Sequence, residues 1–400
     1  MSAIETYDAV VVGGGPAGAT AATDLARHGR SVLLLDRAGR TKPCGGAIPP
    51  RLIRDFDIPD ALLVARATAA RMVSPADKRV HMPIEGGFVG MVDRADFDEW
   101  LRDRAAAAGA VRRTGTCSRI ERDPDGTAVV CHHRAGGSKN EPERIRARTV
   151  IGADGALSAV ARQCVPGADR AAFVFAYHEI VQSPPAAAAD FDGSRCDIYY
   201  RGALSPDFYS WIFPHGDTTS VGTGSARKGF SLRGSVGELR KATGLDALET
   251  IRREGAPIPL RPLPRWDNGR DVVLAGDAAG VVAPASGEGI YYAMLGGRLA
   301  ADAVHAFCAT GDVRQLRTAR RRFLKTHGQV FRALGMMQGF WYASDRRREL
   351  FVSLCRDPDV QKLTWDSYMN KELARVRASP RAYLRIFLNN LAHLAGLVPV

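Results

Sequence analysis

The glycine-rich segment Gly13–Gly18, with the sequence GGGPAG, constrains the fold of this 400-residue chain more than any other feature. It follows a short apolar run, Tyr7–Val12, and leads into a predicted helix, Ala17–His28. In the spacing G-x-G-x-x-G, the first glycine permits a tight turn, the second lets the backbone approach a pyrophosphate, and the third lets the helix pack closely on the strand. Free N–H groups and the positive dipole end at the start of the helix favour a diphosphate. The sequence therefore predicts a dinucleotide-binding unit.

An acidic residue completes this unit. Gly29 is expected to end the helix, Ser31–Leu35 to form the next strand, and Asp36 to follow that strand. A carboxylate at this position can accept hydrogen bonds from ribose hydroxyls. The motif alone does not distinguish FAD from NAD. The cofactor-binding residues predicted from the unit are Gly13, Gly15, Pro16, Ala17, Gly18, Asp36 and Arg37.

A second element decides between the two cofactors. The segment Leu274–Gly280 (LAGDAAG) follows a predicted buried strand, Asp271–Leu274, and Pro284–Ile290 (PASGEGI) comes soon after. The carboxylate in the first segment can hold ribityl hydroxyls. A helix starting near Gly287 would direct its dipole at the N1–C2=O end of a flavin, where negative charge develops on reduction. The residues assigned to FAD here are Gly276, Asp277, Pro284, Gly287, Gly289 and Ile290.

Together with Gly152–Ser158 (GADGALS), these segments resemble the three fingerprints of the FAD flavoproteins that include para-hydroxybenzoate hydroxylase. The resemblance covers about the first 300 residues. It implies an α/β fold, in which a Rossmann-like FAD-binding domain carries an inserted antiparallel β-sheet domain and a helical C-terminal tail. The pattern R-x-x-F-D-x-x-L in the predicted helix Arg94–Ala108 also matches, and its arginine is expected near the cofactor. This resemblance adds Arg94, Asp154 and Gly155 to the cofactor-binding residues.

The pattern changes from Phe173 to Gly224, where aromatic and β-branched residues alternate between turn residues as in antiparallel sheets. Beyond Asp312 the chain is basic and predicted to be helical. The predicted domains are a discontinuous FAD-binding domain (1–75, 94–170 and 265–310), a substrate-binding sheet domain (76–93 and 171–264) and a C-terminal helical region (311–400).

Further motifs narrow the resemblance. Lys42–Pro49 (KPCGGAIP) and Tyr209–Pro214 (YSWIFP), followed by Val221–Gly224 (VGTG), resemble signatures of the geranylgeranyl reductases. Gly90–Val92 and Val360–Met369 (VQKLTWDSYM) resemble the (bacterio)chlorophyll branch of that family. The resemblance implies reduction of a geranylgeranyl chain to phytyl with hydride from NADPH. The substrate would be the bacteriochlorophyllide or chlorophyllide ester, free geranylgeranyl diphosphate, or both.

The chemistry of that reaction suggests roles for individual side chains. An isolated alkene needs a hydride, which reduced flavin supplies, and a proton from the opposite side, while the protein holds an apolar chain and excludes water. The candidate walls for the chain are Phe208, Tyr209, Trp211 and Phe213, although buried aromatics are also common in ordinary sheet cores. The proton donor stays open between Tyr209 and ordered water, and Cys44 is either a gate or proton relay or a small buried apolar residue. The predicted catalytic residues are Cys44, Tyr209 and Trp211, and Cys44, Gly45, Gly46 and Ala47 are also assigned to the cofactor.

The net charge of +12, from 55 Lys and Arg against 43 Asp and Glu, favours an anionic partner such as a diphosphate or an acidic lipid surface. No nucleic-acid recognition module accompanies it, so nucleic acid is not an expected partner. Only one G-x-G-x-x-G motif is present. NADPH is therefore expected to bind transiently in a groove, unless another carrier reduces the flavin.

The seven scattered cysteines form no C-x-x-C pair, which disfavours a disulfide framework or a metal site and suits a reducing cytoplasm. No secretory signal and no apolar run of about 20 residues is recognised. The apolar segment Tyr383–Val400, preceded or overlapped by Arg375, Arg377, Arg381 and Arg385, is predicted to lie on an anionic membrane or to dock on protein. The expected location is cytoplasmic, with peripheral contact to the photosynthetic inner membrane.

Three alternatives remain open at this point. One is an archaeal-type reductase of isoprenoid lipids, which the Val360–Met369 segment disfavours. Another is an FAD-dependent aromatic monooxygenase or halogenase; halogenases typically carry W-x-W-x-I-P, where this chain has Tyr209 at the first aromatic position. The third is a flavin-binding scaffold or pigment carrier without catalytic activity.

Overall fold

The structure of the chain is a computed structural model, which describes residues 4–37, 42–134, 142–185 and 190–371. Within these residues the chain forms two compact units. Unit 1 is drawn from Met1–Lys42, Arg94–Phe173 and Pro257–Gly328, and unit 2 from Pro43–Asp93, Val174–Ala256 and Gln329–Val400. The predicted C-terminal membrane segment Tyr383–Val400 lies outside the described residues, as do the four arginines assigned to it.

The secondary-structure elements are numbered separately for strands and helices in chain order. The strands are β1 (Thr6–Val12), β2 (Val32–Asp36), β3 (Ala47–Ile48), β4 (Leu63–Ala67), β5 (Ala69–Val73), β6 (Arg79–Pro83), β7 (Val89–Val92), β8 (Val111–Arg122), β9 (Ala128–Arg134), β10 (Glu143–Gly152), β11 (Phe173–Gln182), β12 (Arg195–Tyr199), β13 (Ser210–His215), β14 (Thr218–Ser225), β15 (Thr250–Pro259) and β16 (Val272–Leu274). The α-helices are α1 (Pro16–Arg27), α2 (Pro50–Asp55), α3 (Arg94–Ala107), α4 (Ala159–Cys164), α5 (Leu232–Ala242), α6 (Ile290–Thr310), α7 (Thr318–Trp341), α8 (Asp345–Leu354) and α9 (Pro358–Asn370).

The sheet of unit 1 has a parallel core in the order β8-β2-β1-β10-β16. Strand β9 pairs antiparallel with the far ends of both β8 and β10, so these two long strands leave the core as a three-stranded meander. The central strand β1 ends in four fully buried residues, and helix α1 packs against both α3 and α6. Continuous apolar strands of this kind are typical of a parallel sheet with its faces covered.

The sheet of unit 2 has the order β15-β11-β14-β13-β12-β5-β6. Strands β11 to β14 pair antiparallel, whereas β12 and β5 run parallel. Helix α5 packs on one face through Val236 and Leu239, which share a buried cluster with Tyr199, Ile212 and Val221. The predicted α/β class, with an inserted sheet and a helical C-terminal region, is confirmed.

A small sheet, β3-β7-β4, completes unit 2. Its strand β7 contains the Gly90–Val92 signature, and Met91 is fully buried in a cluster with Val89 and Cys196. Helix α9, which contains the Val360–Met369 signature, packs Trp365, Tyr368 and Met369 against that cluster. Both pigment-branch signatures therefore contribute to one apolar core of unit 2.

Among the differences between the observed units and the predicted domains, two are explained by specific long-range contacts. Residues 43–75 lie in unit 2, because β3 and β4 pair with β7 and β5 pairs with β12. Residues 311–328 lie in unit 1, where Arg320 donates to the carbonyl of Leu263 at 3.0 Å and Arg322 pairs with Asp302 at 2.7 Å. Both differences come from long-range contacts that local sequence patterns do not contain.

The predicted strands and helices that carry the fingerprints are found with shifts of a few residues at their ends. One prediction is wrong in a larger respect, because α6 begins at Ile290 and not near Gly287. The amide of Gly287 bonds the carbonyl of Ala283, and the amide of Ala283 bonds the carbonyl of Glu288, so a closed turn precedes the helix. Across the described residues, no helix combines the length and apolar character needed to span a membrane.

Candidate functional site

The three fingerprints meet at one edge of the unit 1 sheet. Strands β1, β10 and β16 are parallel neighbours, so their carboxyl ends lie side by side, and each continues directly into one fingerprint turn. In open α/β sheets ligands bind outside this edge. Backbone hydrogen bonds hold the turns to neighbouring strands: Gly13 N to Leu35 O (2.8 Å), Ala153 N to Val12 O (2.8 Å) and Ala275 N to Gly152 O (2.9 Å).

The glycines of the first turn have two different functions. A Cβ at Gly13 would lie 2.6 Å from the carbonyl carbon of Ala153, and the residue has a φ of +105°. A Cβ at Gly18 would lie 3.0 Å from the carbonyl carbon of Gly13. Gly15 has an ordinary φ of −75° and nothing within 4 Å of the position that its Cβ would take. Gly13 and Gly18 therefore serve packing inside the protein, whereas the space beside Gly15 is open to a ligand.

This open space fits the diphosphate of FAD. Gly15 is the N-cap of the 12-residue helix α1 and makes no side-chain capping bond, and Pro16 and Ala17 follow it with no acidic residue in the first turn. The unpaired N–H groups at a helix start and its dipole attract an anion. The start of α1 therefore presents donors suited to a diphosphate, and its own first turn carries no carboxylate that would repel one.

The carboxylate of Asp36 lies beside the same turn. A Cβ at Gly14 would be 2.7 Å from Asp36 Oδ2, and Arg102 Nη1 lies 3.3 Å from both Asp36 Oδ2 and the carbonyl oxygen of Gly14. Arg102 also pairs with Glu99. The neighbouring predicted residue Arg37 is exposed. Sequence reasoning missed Arg102, although it stands two helical turns after Arg94 on α3.

Arg94 and Asp98 form a buried ion pair on α3. The guanidinium donates to Asp98 through Nε (2.9 Å) and Nη2 (2.8 Å), and both side chains are 6% exposed. Removing one partner of such a pair would leave an uncompensated buried charge. The ion pair with Asp98 gives Arg94 a structural function, and its contact with the cofactor stays a prediction.

Asp154 shapes the loop that carries the second fingerprint. Its carboxylate accepts hydrogen bonds from the amides of Ala159 (2.6 Å) and Val160 (3.3 Å) and from the hydroxyl of Ser158, so it caps α4. Burial raises the pKa of Asp154, and these hydrogen bonds oppose that rise. The next residue, Gly155, has a φ of +87° and open space on its Cβ side. Of the two predicted residues in this loop, Asp154 therefore bonds within the protein, whereas Gly155 has open space beside it.

The third fingerprint brings Asp277 to the start of α6. Asp277 forms an ion pair with Lys42, and its carboxylate lies 3.9 Å from the position that a Cβ at Gly289 would take. Gly289 is the N-cap of α6. The acid is nearly buried, with its side chain 6% exposed, whereas the Lys42 side chain is 37% exposed. Lys42 thus holds the carboxylate that was predicted to bind the ribityl chain.

Other predicted residues of the third fingerprint pack around this acid. A Cβ at Gly276 would be 2.7 Å from Ala17 Cβ, so the first and third fingerprints touch. Glu288 Oε1 accepts from the amide of Tyr291 at 3.1 Å and occupies part of the α6 start, which sequence reasoning did not anticipate. The closed turn before α6 contains Pro284 and Gly287, and Ile290 is buried.

In unit 2, the loop Cys44–Gly46 packs against strand β13. A Cβ at Gly45 would lie 3.1 Å from the ring of Phe213, and one at Gly46 would lie 2.6 Å from His215 Nε2. His215 Nδ1 lies 3.0 Å from the carbonyl oxygen of Phe213, and burial lowers the pKa of His215. Ala47 follows as the first residue of β3. His215 was missed by sequence reasoning, although it directly follows the aromatic motif.

Four aromatic side chains form what we call the aromatic row: Phe208, Tyr209, Trp211 and Phe213. The rings of Phe208 and Tyr209 stack with centroids 4.3 Å apart, and the next two centroid separations are 5.9 Å (Tyr209 to Trp211) and 6.1 Å (Trp211 to Phe213). Residues two apart in a strand point to the same face, which explains the register of the last three.

The predicted catalytic residues lie together in unit 2. Burial raises the pKa of Tyr209, and the nearby ionisable groups of Tyr342 and Cys44 raise it further. The phenol therefore keeps its proton at neutral pH. Tyr200, which sequence reasoning did not place in the site, lies with its ring centroid 6.3 Å from that of Tyr209 and 5.5 Å from that of Tyr342.

Residues 6–175 match the protein family described as FAD binding domain. Over 393 residues, or 98% of this chain and 98% of its relative, the sequence is 60% identical to the geranylgeranyl diphosphate reductase of Rhodobacter capsulatus. The chain belongs to the geranylgeranyl diphosphate reductase family. This confirms the family resemblance predicted from the sequence. As a member of the geranylgeranyl diphosphate reductase family with an FAD binding domain, the chain is an FAD-dependent oxidoreductase.

Two further proteins place this member of the geranylgeranyl diphosphate reductase family in a wider context. The digeranylgeranylglycerophospholipid reductase of Methanoculleus marisnigri is 33% identical over 323 residues, or 76% of this chain and 78% of that protein. The crystal structure of a geranylgeranyl bacteriochlorophyll reductase-like protein from Thermoplasma acidophilum matches with a TM-score of 0.74 and 22% identity, covering 99% of this chain and 100% of that one. At this identity the structural match supports the fold.

The contrast between Gly15 and Gly13 can be tested directly. We expect Gly15→Ala to leave the thermal stability of the apoprotein nearly unchanged, because open space and an ordinary φ accept a methyl group. FAD affinity should fall about 10- to 100-fold, since overpacking costs about 1–3 kcal/mol and every 1.4 kcal/mol is tenfold. Flavin titration of the apoprotein measures the affinity.

Gly13→Ala is expected instead to lower the melting temperature of the apoprotein, because strain at positive φ adds to the contact with Ala153. Gly237→Ala, on the exposed side of α5 with open space around it, is the matched control: it should leave flavin affinity unchanged and raise the melting temperature slightly, because alanine forms helices better than glycine. Equal flavin affinity for Gly15→Ala and wild type would contradict the assignment of the diphosphate to this turn.

Proposed function

We propose that the chain saturates double bonds of a geranylgeranyl chain to give phytyl, using FAD as its cofactor and NADPH as the source of hydride. The substrate is a bacteriochlorophyllide or chlorophyllide ester, free geranylgeranyl diphosphate, or both. The observation that carries this proposal is the 60% identity over 98% of both chains with a geranylgeranyl diphosphate reductase. The lipid reductase relative is half as similar and covers 76% of the chain, which makes the archaeal-type alternative the weaker one.

Residues of unit 1 are proposed to hold FAD. The start of α1 at Gly15 would bind the diphosphate, Asp36 a ribose, and Asp277 with the α6 start the ribityl chain and the flavin ring. When bound, FAD supplies hydride from its reduced ring. Lys42 holds Asp277 in place, and the Arg102 cation beside Asp36 adds positive charge near the diphosphate-binding turn.

The aromatic row is proposed to bind the isoprenoid chain. Three of its rings, those of Phe208, Tyr209 and Trp211, are less than 10% exposed, so the row is an apolar wall that is shielded from water. Burying apolar surface stabilises a complex by about 25 cal/mol per Å², so an unbranched or methyl-branched hydrocarbon chain needs no polar recognition along its length. The same contacts would exclude water from the bound chain, which strengthens the electrostatic interactions at the reacting atoms.

Cys44 and Tyr209 are proposed to carry the proton. The Tyr209 hydroxyl is buried and is close enough to the Cys44 thiol for the two groups to interact electrostatically. The hydroxyl carries one exchangeable proton, and the neighbouring thiol offers a second. The pair thereby provides a short route for a proton to one side of a bound double bond.

The proposed activity is tested by anaerobic incubation with NADPH and either geranylgeranyl-bacteriochlorophyllide or geranylgeranyl diphosphate. We expect mass increases in steps of two hydrogens on at least one of the two, because each reduction adds one hydride and one proton. Oxygen-dependent turnover of an aromatic compound, with neither substrate reduced, would favour the monooxygenase hypothesis. Reduction of a digeranylgeranyl glycerophospholipid alone would favour the archaeal-type alternative.

The proton route predicts a loss of turnover without a loss of flavin. Tyr209→Phe and Cys44→Ser should each lower kcat, by about 10²- to 10⁴-fold if the altered group is the proton donor itself. Bound FAD, measured by absorbance, should be unchanged. Cys117→Ser, on β8 of unit 1, is the matched control and should keep full activity. A fully active Cys44→Ser with a normal flavin spectrum would remove Cys44 from the route.

We also propose that the basic and apolar segment at the end of the sequence contacts an anionic membrane. The support is the composition of Tyr383–Val400 and the arginines before it, together with a lipid-soluble substrate. Deleting the residues after Ser379 should weaken binding to vesicles that contain anionic lipids, measured by co-sedimentation. Vesicles of zwitterionic lipid serve as the control for charge, and unchanged binding of the truncated protein would contradict the proposal.

A further inference from the structure

Four polar groups in unit 2, one of them the indole N–H of Trp211 in the aromatic row, are joined by a chain of hydrogen bonds. Trp211 Nε1 donates to Ser220 Oγ at 3.1 Å, Ser220 Oγ lies 2.9 Å from His178 Nδ1, and His178 Nε2 lies 3.1 Å from Glu254 Oε2. Arg252 Nε lies 3.0 Å from the other Glu254 oxygen. Ser220 and His178 are buried, at 0% and 4% exposure. We call Ser220, His178 and Glu254 the support row of the indole.

Elementary hydrogen-bond chemistry fixes the direction of the two outer bonds. The carboxylate of Glu254 accepts, so His178 Nε2 donates to it, and the indole N–H of Trp211 can only donate, so the oxygen of Ser220 accepts from it. In the tautomer with a single hydrogen, on Nε2, the ring accepts at Nδ1 from the Ser220 hydroxyl. The indole N–H of Trp211 thus has its acceptor in a buried place where a missing partner would be costly.

The backbone makes room for this arrangement at one glycine. Gly222 on β14 pairs with Trp211 on β13 and with His178 on β11, so the three positions lie at one level across three strands. A Cβ at Gly222 would lie 2.5 Å from Trp211 Cε2 and 2.7 Å from His178 Cβ. The absent side chain lets the indole lie across β14 and reach Ser220. This gives the first glycine of the VGTG signature a physical reason.

The order Glu–His–Ser also occurs in hydrolases, where the serine attacks a substrate. Here the serine cannot serve that purpose, because Ser220 is fully buried and its oxygen already accepts from the indole N–H of Trp211. The chain of hydrogen bonds therefore ends at Trp211, and its effect is to hold the indole in one plane.

We infer that Glu254, His178 and Ser220 are positioning residues, which hold the indole of Trp211 at one angle and so set how far along the aromatic row an isoprenoid chain lies. This inference rests on the proposed function. Double bonds recur at regular intervals along an isoprenoid chain. For successive reductions the chain must therefore shift along the aromatic row, so that each double bond in turn occupies the same reacting position. An indole free to rotate keeps its apolar area but presents a less defined surface.

The test compares two buried serines on opposite faces of one sheet. Ser220→Ala removes the acceptor of the indole N–H, whereas Ser210→Ala removes a hydroxyl that bonds Thr223 at 2.8 Å and does not contact the indole. In Ser220→Ala we expect altered tryptophan emission, a fall in kcat of about tenfold or more, and accumulation of partly reduced chains. KM should stay within about threefold, because the apolar surface is unchanged. Ser220→Thr, which restores a hydroxyl, should recover both emission and products.

Emission is assigned to Trp211 by subtracting the spectrum of the same variant in a Trp211→Phe background. His178→Phe, which keeps a ring of similar size without nitrogens, should reproduce Ser220→Ala, and thermal denaturation identifies a variant that fails to fold. Wild-type emission and products in both Ser220→Ala and His178→Phe would overturn the inference, as would equal effects in Ser210→Ala. If the wild-type protein reduces no isoprenoid chain, the proposed function fails, and emission alone still decides whether the row fixes the indole.

Discussion

The backbones of Gly13 and Ala153 approach so closely that a hydrogen atom is the largest group that fits between them. This contact fixes the distance between the turn after β1 and the turn after β10, which come from parts of the chain about 140 residues apart. The start of α1 is thereby held open on the side of Gly15, and Asp277 enters from the third neighbouring strand. The cofactor chemistry of unit 1 depends on this one approach, because any larger group would separate the turns that must act on a single ligand.

Unit 2 uses the absence of a side chain for a different purpose. At Gly222 the indole of Trp211 fills the space that a Cβ would take, and it reaches the buried hydroxyl of Ser220 on the same sheet. The two faces of that sheet serve separate functions: one packs on α5 through Ile212 and Val221, and the other carries the aromatic row. Because side chains alternate between the two faces of a strand, one strand can contribute both to a core and to the proposed substrate-binding face.

The sequence predicted those parts of the molecule that are local in the chain. The G-x-G-x-x-G turn, its strand and its helix occupy 22 consecutive residues, from Thr6 to Arg27, so pattern and propensity suffice. Arg102, His215 and His178 were missed, because each owes its importance to a partner that is distant in sequence: Asp36, Gly46 and Glu254, respectively. The start of α6 was predicted a few residues too early for a related reason. The turn before it is closed by backbone hydrogen bonds, and within it Ala285 adopts a φ of +63°, a conformation that composition does not predict.

The interleaving of the two units has a consequence for how the chain acquires its structure during synthesis. Each unit is assembled from three separate stretches, and the last strand of the parallel core, β16, emerges from the ribosome only after most of unit 2 has been made. Likewise β5 must wait for β12, which is more than 120 residues further along, before it gains its parallel neighbour. Pairings of such long sequence separation form slowly and leave strand edges exposed in the meantime. The nascent chain therefore passes through a long period with unpaired strands, in which chaperones have more opportunity to act than on a protein built from consecutive domains.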